Sequence, residues 1–241
     1  MTECNMCNNT GIVLHQGVAY RCTCWSQRLL ELKAKKSNLH SYFNKASFSA
    51  FKLDYYPNTV PAEGGTTYKE RATKALSAAV SFVQDLNNNN YKKGLYFFGP
   101  VGSGKTFLAA AIVNELLKFN HDVLFVVVPD YLDALRFSYE KNEDIITEKK
   151  ITDLAYNAPI LILDDLGAHN YTQWTANKIY SLLNYRLNNN MPTVITSNLS
   201  LSELEQYLGA RSCSRIIGLC SIYRLLVPQD IRYTKYLNNI N

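Results

Sequence analysis

Three groups of residues in this chain have the types and spacing to do chemistry. The first is Gly99-Pro100-Val101-Gly102-Ser103-Gly104-Lys105-Thr106, followed by Phe107. Glycines let a backbone approach a polyphosphate with no Cβ in the way. Successive N–H groups then form an anion nest at a helix N-terminus. In such a P-loop the lysine reaches the β- and γ-phosphates and the hydroxyl sits on Mg²⁺, which are the positions of Lys105 and Thr106. Residues 99–107 are therefore the expected triphosphate-binding stretch, unless a glycine-rich turn matches the pattern by chance.

The second group is Asp164-Asp165, at the end of the apolar run Ile160-Leu161-Ile162-Leu163. Open α/β sheets bind ligands at the carboxyl ends of their strands. There Asp164 can hold the Mg²⁺ of a nucleotide, and Asp165 can orient or deprotonate an attacking water. The bland alternative is a polar turn after a strand. The third group is Cys4-x-x-Cys7 and Cys22-x-Cys24. Four thiolates in two close pairs suit tetrahedral Zn²⁺. About 25 residues cannot bury a self-sufficient core, so a metal staple is useful there. The alternative is free surface thiols or a labile disulfide. His15 is left out, because four cysteines fill such a site.

Elements must position these groups. Leu95–Phe98 reads as a buried strand, and an apolar helical pattern follows the glycine loop from Phe107 to Leu117. Strand, loop and helix in that order give the glycine pattern its structural context. Asp122–Val128 reads as a strand, with a helix from Pro129 to about Tyr139 and another over about Asp144–Tyr156. The carboxylate strand starts at Pro159. A helix over 172–188, a strand over Pro192–Asn198, a short helix over Leu201–Leu208 and a last strand over Ser221–Val227 complete the pattern. Alternating strands and helices predict an α/β fold with a largely parallel sheet. Upstream, Thr67–Leu86 has apolar residues at helical spacing, and the aromatic-rich segment 37–66 reads as a strap against the following domain. Residues 26–36 read as a short helix with a solvated basic face. Between the cysteine pairs, Ile12–Leu14 and Val18–Tyr20 suit a small hairpin. The expected division is a zinc-binding module over 1–25, a linker and strap over 26–66, and the main domain over 67–241.

With 241 residues, 47% hydrophobic and 19% charged, the composition is that of a folded protein rather than a disordered one. No run approaches the apolar length of a membrane span, and no basic-then-apolar leader opens the chain. A cytoplasmic location is the expectation, in which clustered cysteines favour metal over disulfides. A net charge of +5 permits contact with nucleic acid without arguing for it.

Taken together, these motifs resemble the AAA+ ATPases of the DnaC/DnaI replicative helicase loader group, which includes the IstB transposition helpers. The likeness spans roughly residues 37–235. Beyond the P-loop it rests on the segments Tyr42–Phe51, Val128–Arg136 and Leu163–Ala168, on Trp174 with Asn184-Tyr185-Arg186, and on Thr196-Ser197-Asn198. The resemblance implies an AAA+ core, ATP with Mg²⁺, and slow, partner-regulated hydrolysis. It implies a DnaB-type replicative helicase and single-stranded DNA as partners; the alternatives are an IstB-like helper acting on duplex DNA and a nucleotide-dependent binding module without turnover. By position it makes Asn198 the sensor 1 residue and Arg215 an arginine finger, with Arg211 as companion. A finger acts in trans, so it implies self-association. Arg136, Tyr139 and Trp174 match the family's DNA-binding positions, the alternative for Trp174 being a core anchor. Arg232 stands where the family often has a basic residue, but Gln229-Asp230 replaces the usual glycine before it, and no role is assigned to it. The cysteine-rich front end resembles the zinc-binding regions of some of these loaders.

Overall fold

The computed structural model describes residues 12–15, 18–21, 45–58, 65–140, 145–168 and 171–240. Strands β1 (Ile12–His15) and β2 (Val18–Arg21) form an antiparallel hairpin, with Ile12 opposite Arg21 and His15 opposite Val18. It lies where the out-and-back apolar pattern places it.

The rest of the chain builds one sheet with helices on both faces. In order come α1 (Tyr68–Asn87), β3 (Gly94–Phe98), α2 (Lys105–Lys118), β4 (Val123–Val127), α3 (Val128–Glu140) and α4 (Ile145–Asn157). Then follow β5 (Ile160–Leu166), α5 (Gln173–Asn188), β6 (Thr193–Ser197), α6 (Leu201–Leu219), β7 (Cys220–Arg224) and α7 (Ile231–Ile240). The sheet order is β4-β5-β6-β3-β7, and every pair is parallel. The P-loop strand β3 thus has neighbours on both sides, and the carboxylate strand β5 is separated from it by β6.

Side chains of a strand alternate between faces, and here they split into two cores. Leu95, Phe97, Phe125, Ile162 and Val194 pack with α1 and α2. Tyr96, Leu161, Leu163 and Ile195 pack with residues of α3 to α6. Because both faces are covered, the strands read as continuous apolar runs. Small residues let α1 and α2 lie close: Ala72, Ala75, Ala79 and Ala109–Ala111 are fully buried. Three helices start on reciprocal capping boxes, Thr67 with Glu70, Thr172 with Thr175 and Ser200 with Glu203. Each satisfies two N–H groups that a helix start leaves open.

The strap packs as its aromatics suggest. Ala46, Phe51 and Tyr56 are buried in the first core, and Asn114 Nδ2 of α2 donates to Ala46 O at 2.8 Å. On the other face, Arg186 of α5 is fully buried. Its guanidinium donates to Thr193 Oγ1 (2.8 Å) and to the carbonyls of Ala155 (3.1 Å), Ala158 (2.9 Å) and Pro192 (2.7 Å). One side chain thereby ties the end of α4 to the start of β6.

The short helix from Leu201 ends near Leu208 as read, and Gly209, whose φ of 75° and ψ of 158° only glycine adopts readily, breaks it from a second helical segment that carries Arg211 and Arg215 to Leu219; α6 is the two together. Two elements differ from the sequence reading. The strand over Asp122–Val128 ends one residue early, since Val128 and Pro129 already form the first turn of α3, where proline is tolerated. The last strand ends at Arg224, and α7 follows, which the polar, asparagine-rich tail had concealed.

Candidate nucleotide site

Strand β3 ends at Phe98 and the chain turns over the P-loop into α2. Gly102 (φ 72°) and Gly104 (φ 92°) take left-handed backbone, with Gly104 at the helix cap. A side chain at either would have to displace a neighbour: a Cβ on Gly102 would stand 1.9 Å from Asp230 Oδ1, and one on Gly104 2.8 Å from Tyr56 Oη. The P-loop is therefore gripped from two sides. From the strap, Tyr56 Oη donates to Ser103 O at 2.7 Å, and Phe51 stacks on the Tyr56 ring with centroids 5.5 Å apart. From the C-terminal side, Ile231 N, at the start of α7, donates to Gly102 O at 3.1 Å. Asp230 caps that helix by accepting from Arg232 N at 2.7 Å.

Lys105 is buried, and its Nζ donates to Gly99 O and Pro100 O, both at 2.8 Å. Burial pulls the ammonium down to about 8, and the carboxylates of Asp165 and Asp164 push it back up. Arg232 and Asp230 also act on it, with opposite signs. The field at Lys105 thus gathers groups from β5 and from the start of α7.

The two carboxylates reach this place through an irregularity in β5. Its register with β6 pairs Leu163 with Ile195 and then Leu166 with Ser197, so β5 carries one residue more than its partner. Such a bulge re-aims side chains. Without it, Asp164 and Asp165 would point to opposite faces. Asp165 sits at φ 60°, a left-handed conformation that aspartate tolerates better than most residues. Thr196 of β6 secures the bulge: its Oγ1 donates to Asp164 Oδ1 at 2.5 Å and accepts from Asp165 N at 3.0 Å. Asp164 is buried, and burial raises its carboxyl to about 6; hydrogen bonds from Thr196 and Thr106 oppose that rise, and the charge of Asp165 adds to it. Asn198 Nδ2 lies 3.4 Å from Asp165 Oδ1.

The structure therefore brings together residues 99–107, Asp164, Asp165 and Asn198. It does not bring Arg215 to the same site. Arg215 lies on α6 beyond the Gly209 kink, its guanidinium 5.9 Å from the Tyr180 ring centroid, and its buried Nε has no acceptor among the described residues. Arg211 is exposed one turn before it. Arg136 is half-buried on α3, and Trp174 is half-buried against the second core with Lys178 Nζ 5.4 Å from its ring. Cys4, Cys7, Cys22, Cys24 and the Tyr139 side chain lie outside the described residues. Tyr56, Thr196 and Asp230 are at the site although the sequence assigns them no role there, and Arg232, noted in the sequence without a role, acts on the charge of Lys105. Thr196 left a trace, as a hydroxyl within an apolar strand; Asp230 was hidden with the helix it caps. Tyr56 is one of many strap aromatics and left none.

Residues 65–217 match the family model described as IstB-like ATP binding protein. The chain belongs to this family. Among curated relatives, the chain is similar to the replicative helicase loader DnaI of Bacillus subtilis, 33% identical over 157 residues, which cover 60% of this chain and 49% of DnaI. The replicative helicase loader DnaC of Escherichia coli is 30% identical over 147 residues, 61% of this chain and 58% of DnaC. The chain thus spans about half the length of these relatives. A crystal structure of DnaI superposes with a TM-score of 0.58 at 29% identity, over 79% of this chain and 93% of that one. The five-stranded parallel sheet flanked by helices is therefore shared with DnaI.

Proposed function

We propose that this IstB-like protein is an ATP-hydrolysing loader that delivers a replicative, DnaB-type helicase to single-stranded DNA. The observation that carries the reading is the bulged Asp164-Asp165 pair, held by Thr196 and facing Lys105 of the P-loop. The likeness to two replicative helicase loaders supplies the partner class. The donors fit a nucleotide with Mg²⁺: Thr106 Oγ1 and the Asp164 carboxylate are hard oxygen ligands already in hydrogen-bond contact. Bound there, Mg²⁺ would neutralise charge on the β- and γ-phosphates. The glycine nest of residues 99–104 would hold the phosphates, and Lys105, freed from Gly99 O and Pro100 O, would turn to the γ-phosphate. Asp165 orients the attacking water and takes its proton, and Asn198 holds Asp165 and senses the γ-phosphate.

Arg215 serves the site of a neighbouring copy in this reading. Its guanidinium lies 5.9 Å from the Tyr180 ring centroid, and no hydrogen bond ties it to its own P-loop among the described residues. Arg136, Tyr139 and Trp174 contact single-stranded DNA. Cys4, Cys7, Cys22 and Cys24 hold Zn²⁺, a reading supported by the β1–β2 hairpin that lies between the two cysteine pairs. Metal analysis of purified protein should find about one zinc per chain, and a stoichiometry near zero under reducing conditions would remove that part.

The test of the whole is loading of a DnaB-type hexamer onto single-stranded DNA, with phosphate release followed in parallel. Lys105→Ala and Asp164→Ala should abolish nucleotide-dependent loading. If both variants load the helicase as well as the native protein, the mechanism is wrong. An IstB-like action on duplex DNA would show as duplex binding without helicase capture. A binding module without turnover would load the helicase with no phosphate released.

A further inference from the structure

The edge strand β7 and the groove beside it take no part in the nucleotide site. A cavity of about 490 Å³ lies between α1 and the β3–β7 side of the sheet. Phe82 and Leu95 form its buried floor, with Tyr223 half-buried beside them. Lys74, Lys92 and Lys93 line it against a single acid, Asp85. Lys93 Nζ is tied to Ile217 O at 3.3 Å. Lys74 and Lys92 have no ion-pair or hydrogen-bond partner among the described residues.

Strand β7 pairs with β3 and with no other described strand. Its outer row of N–H and C=O groups therefore faces away from the sheet. Edge strands that must stay free are guarded by lysine, proline or a bulge. None guards β7. Its register with β3 is unbroken from Gly94–Cys220 to Phe98–Arg224. Its one charged residue, Arg224, leans over the Phe98 ring of β3 at 5.9 Å. Ile222, at its centre, is 42% exposed. At the opposite edge, every residue of β4 is buried or half-buried.

We propose that β7 is the acceptor edge for an extended acidic peptide of a partner protein. The peptide adds to the sheet as a further strand, its main chain pairing with β7. Alternate side chains then point into the groove, with carboxylates at Lys74 and Lys92 above the Phe82–Tyr223 floor. The side chains between them cover Ile222. The open ladder and Ile222 decide for a peptide, since a nucleic acid would engage the lysines and leave both unused.

The test uses the full chain and fluorescent octapeptides that alternate Val with Asp, Val with Ser, or Val with Lys. The Asp peptide should bind best, weaken with salt, and slow amide hydrogen exchange in β7. Lys74→Glu with Lys92→Glu should weaken it about tenfold. Ile222→Lys, a change at an exposed position, should weaken Asp and Ser peptides alike by guarding the edge. Equal binding of all three peptides, or binding with no added protection in β7, overturns the proposal. So does a single-stranded oligothymidylate that crosslinks to the groove and displaces the peptide, which would make the groove a nucleic-acid site.

Discussion

Asp164 is costly to the protein until something positive binds beside it. Its carboxyl ordinarily titrates at 3.8 and here at about 6, chiefly through burial. The fold therefore favours the protonated form, and its stabilising share is lost as pH rises from about 4 through 6. Asp164→Asn keeps the shape and removes that penalty. At pH 8 it should raise the stability of the nucleotide-free protein by about 1–3 kcal/mol. The gain should vanish near pH 4, where the native carboxyl is also neutral. Urea melts at the two pH values read the difference, and equal gains at both would show that the charge is not the cause. The same variant should lose Mg²⁺-dependent nucleotide binding, because the amide is a poorer ligand for a hard cation.

At the scale of elements, the start of α7 puts a carboxylate against a loop built for phosphates. Asp230 lies against Gly102 and contributes to the field at Lys105. Asp230→Asn is an informative change, since asparagine caps helices as well as aspartate does. With the cap kept and the charge gone, nucleotide triphosphate should bind about three- to tenfold tighter. Titration calorimetry measures this, and unchanged affinity would mean that Arg232 already cancels the charge. Neither contact was legible in the sequence. Strand, glycine loop and helix follow one another in the chain, so local pattern suffices to find the P-loop. The Asp164-Asp165 pair was legible for the same reason, as charge at the end of an apolar run. Its bulge was not, because register is a property of two strands. Parallel pairing joins segments far apart in sequence, so the order β4-β5-β6-β3-β7 left no local mark. Tyr56 and Asp230 approach the loop from opposite flanks of the domain, and nothing in their neighbourhoods says where they point.

At the scale of the whole molecule, Arg186 joins α4, α5 and β6 with no carboxylate partner among the described residues. Burial lowers its guanidinium to about 10, and its acceptors are carbonyls and one hydroxyl. Arg186→Met would leave those carbonyls unpaired in the interior and should cost about 3–5 kcal/mol, read as a lowered denaturant midpoint. A loss under 1 kcal/mol would mean that water replaces the guanidinium. Assembly gives a second test at this scale. Lys105→Ala and Arg215→Ala should each abolish turnover, a finger being worth about 10³–10⁵ in rate. Mixing the two should restore part of it, since a copy lacking Arg215 can borrow that of a neighbour lacking Lys105. No restoration at any mixing ratio would place Arg215 outside the shared site.

The two-sided grip on the P-loop bears on how the protein can be cut. The family match begins at residue 65 and ends at 217, and the capping box at Thr67 makes a tidy start for a fragment. A fragment with those limits would keep every motif residue from Gly99 to Asn198. It would also shed Phe51 and Tyr56 on one flank, and β7 with Asp230 and Ile231 on the other. Such a piece should bind nucleotide far more weakly than the full chain while carrying an intact signature, and extending it to 45–237 should recover the difference.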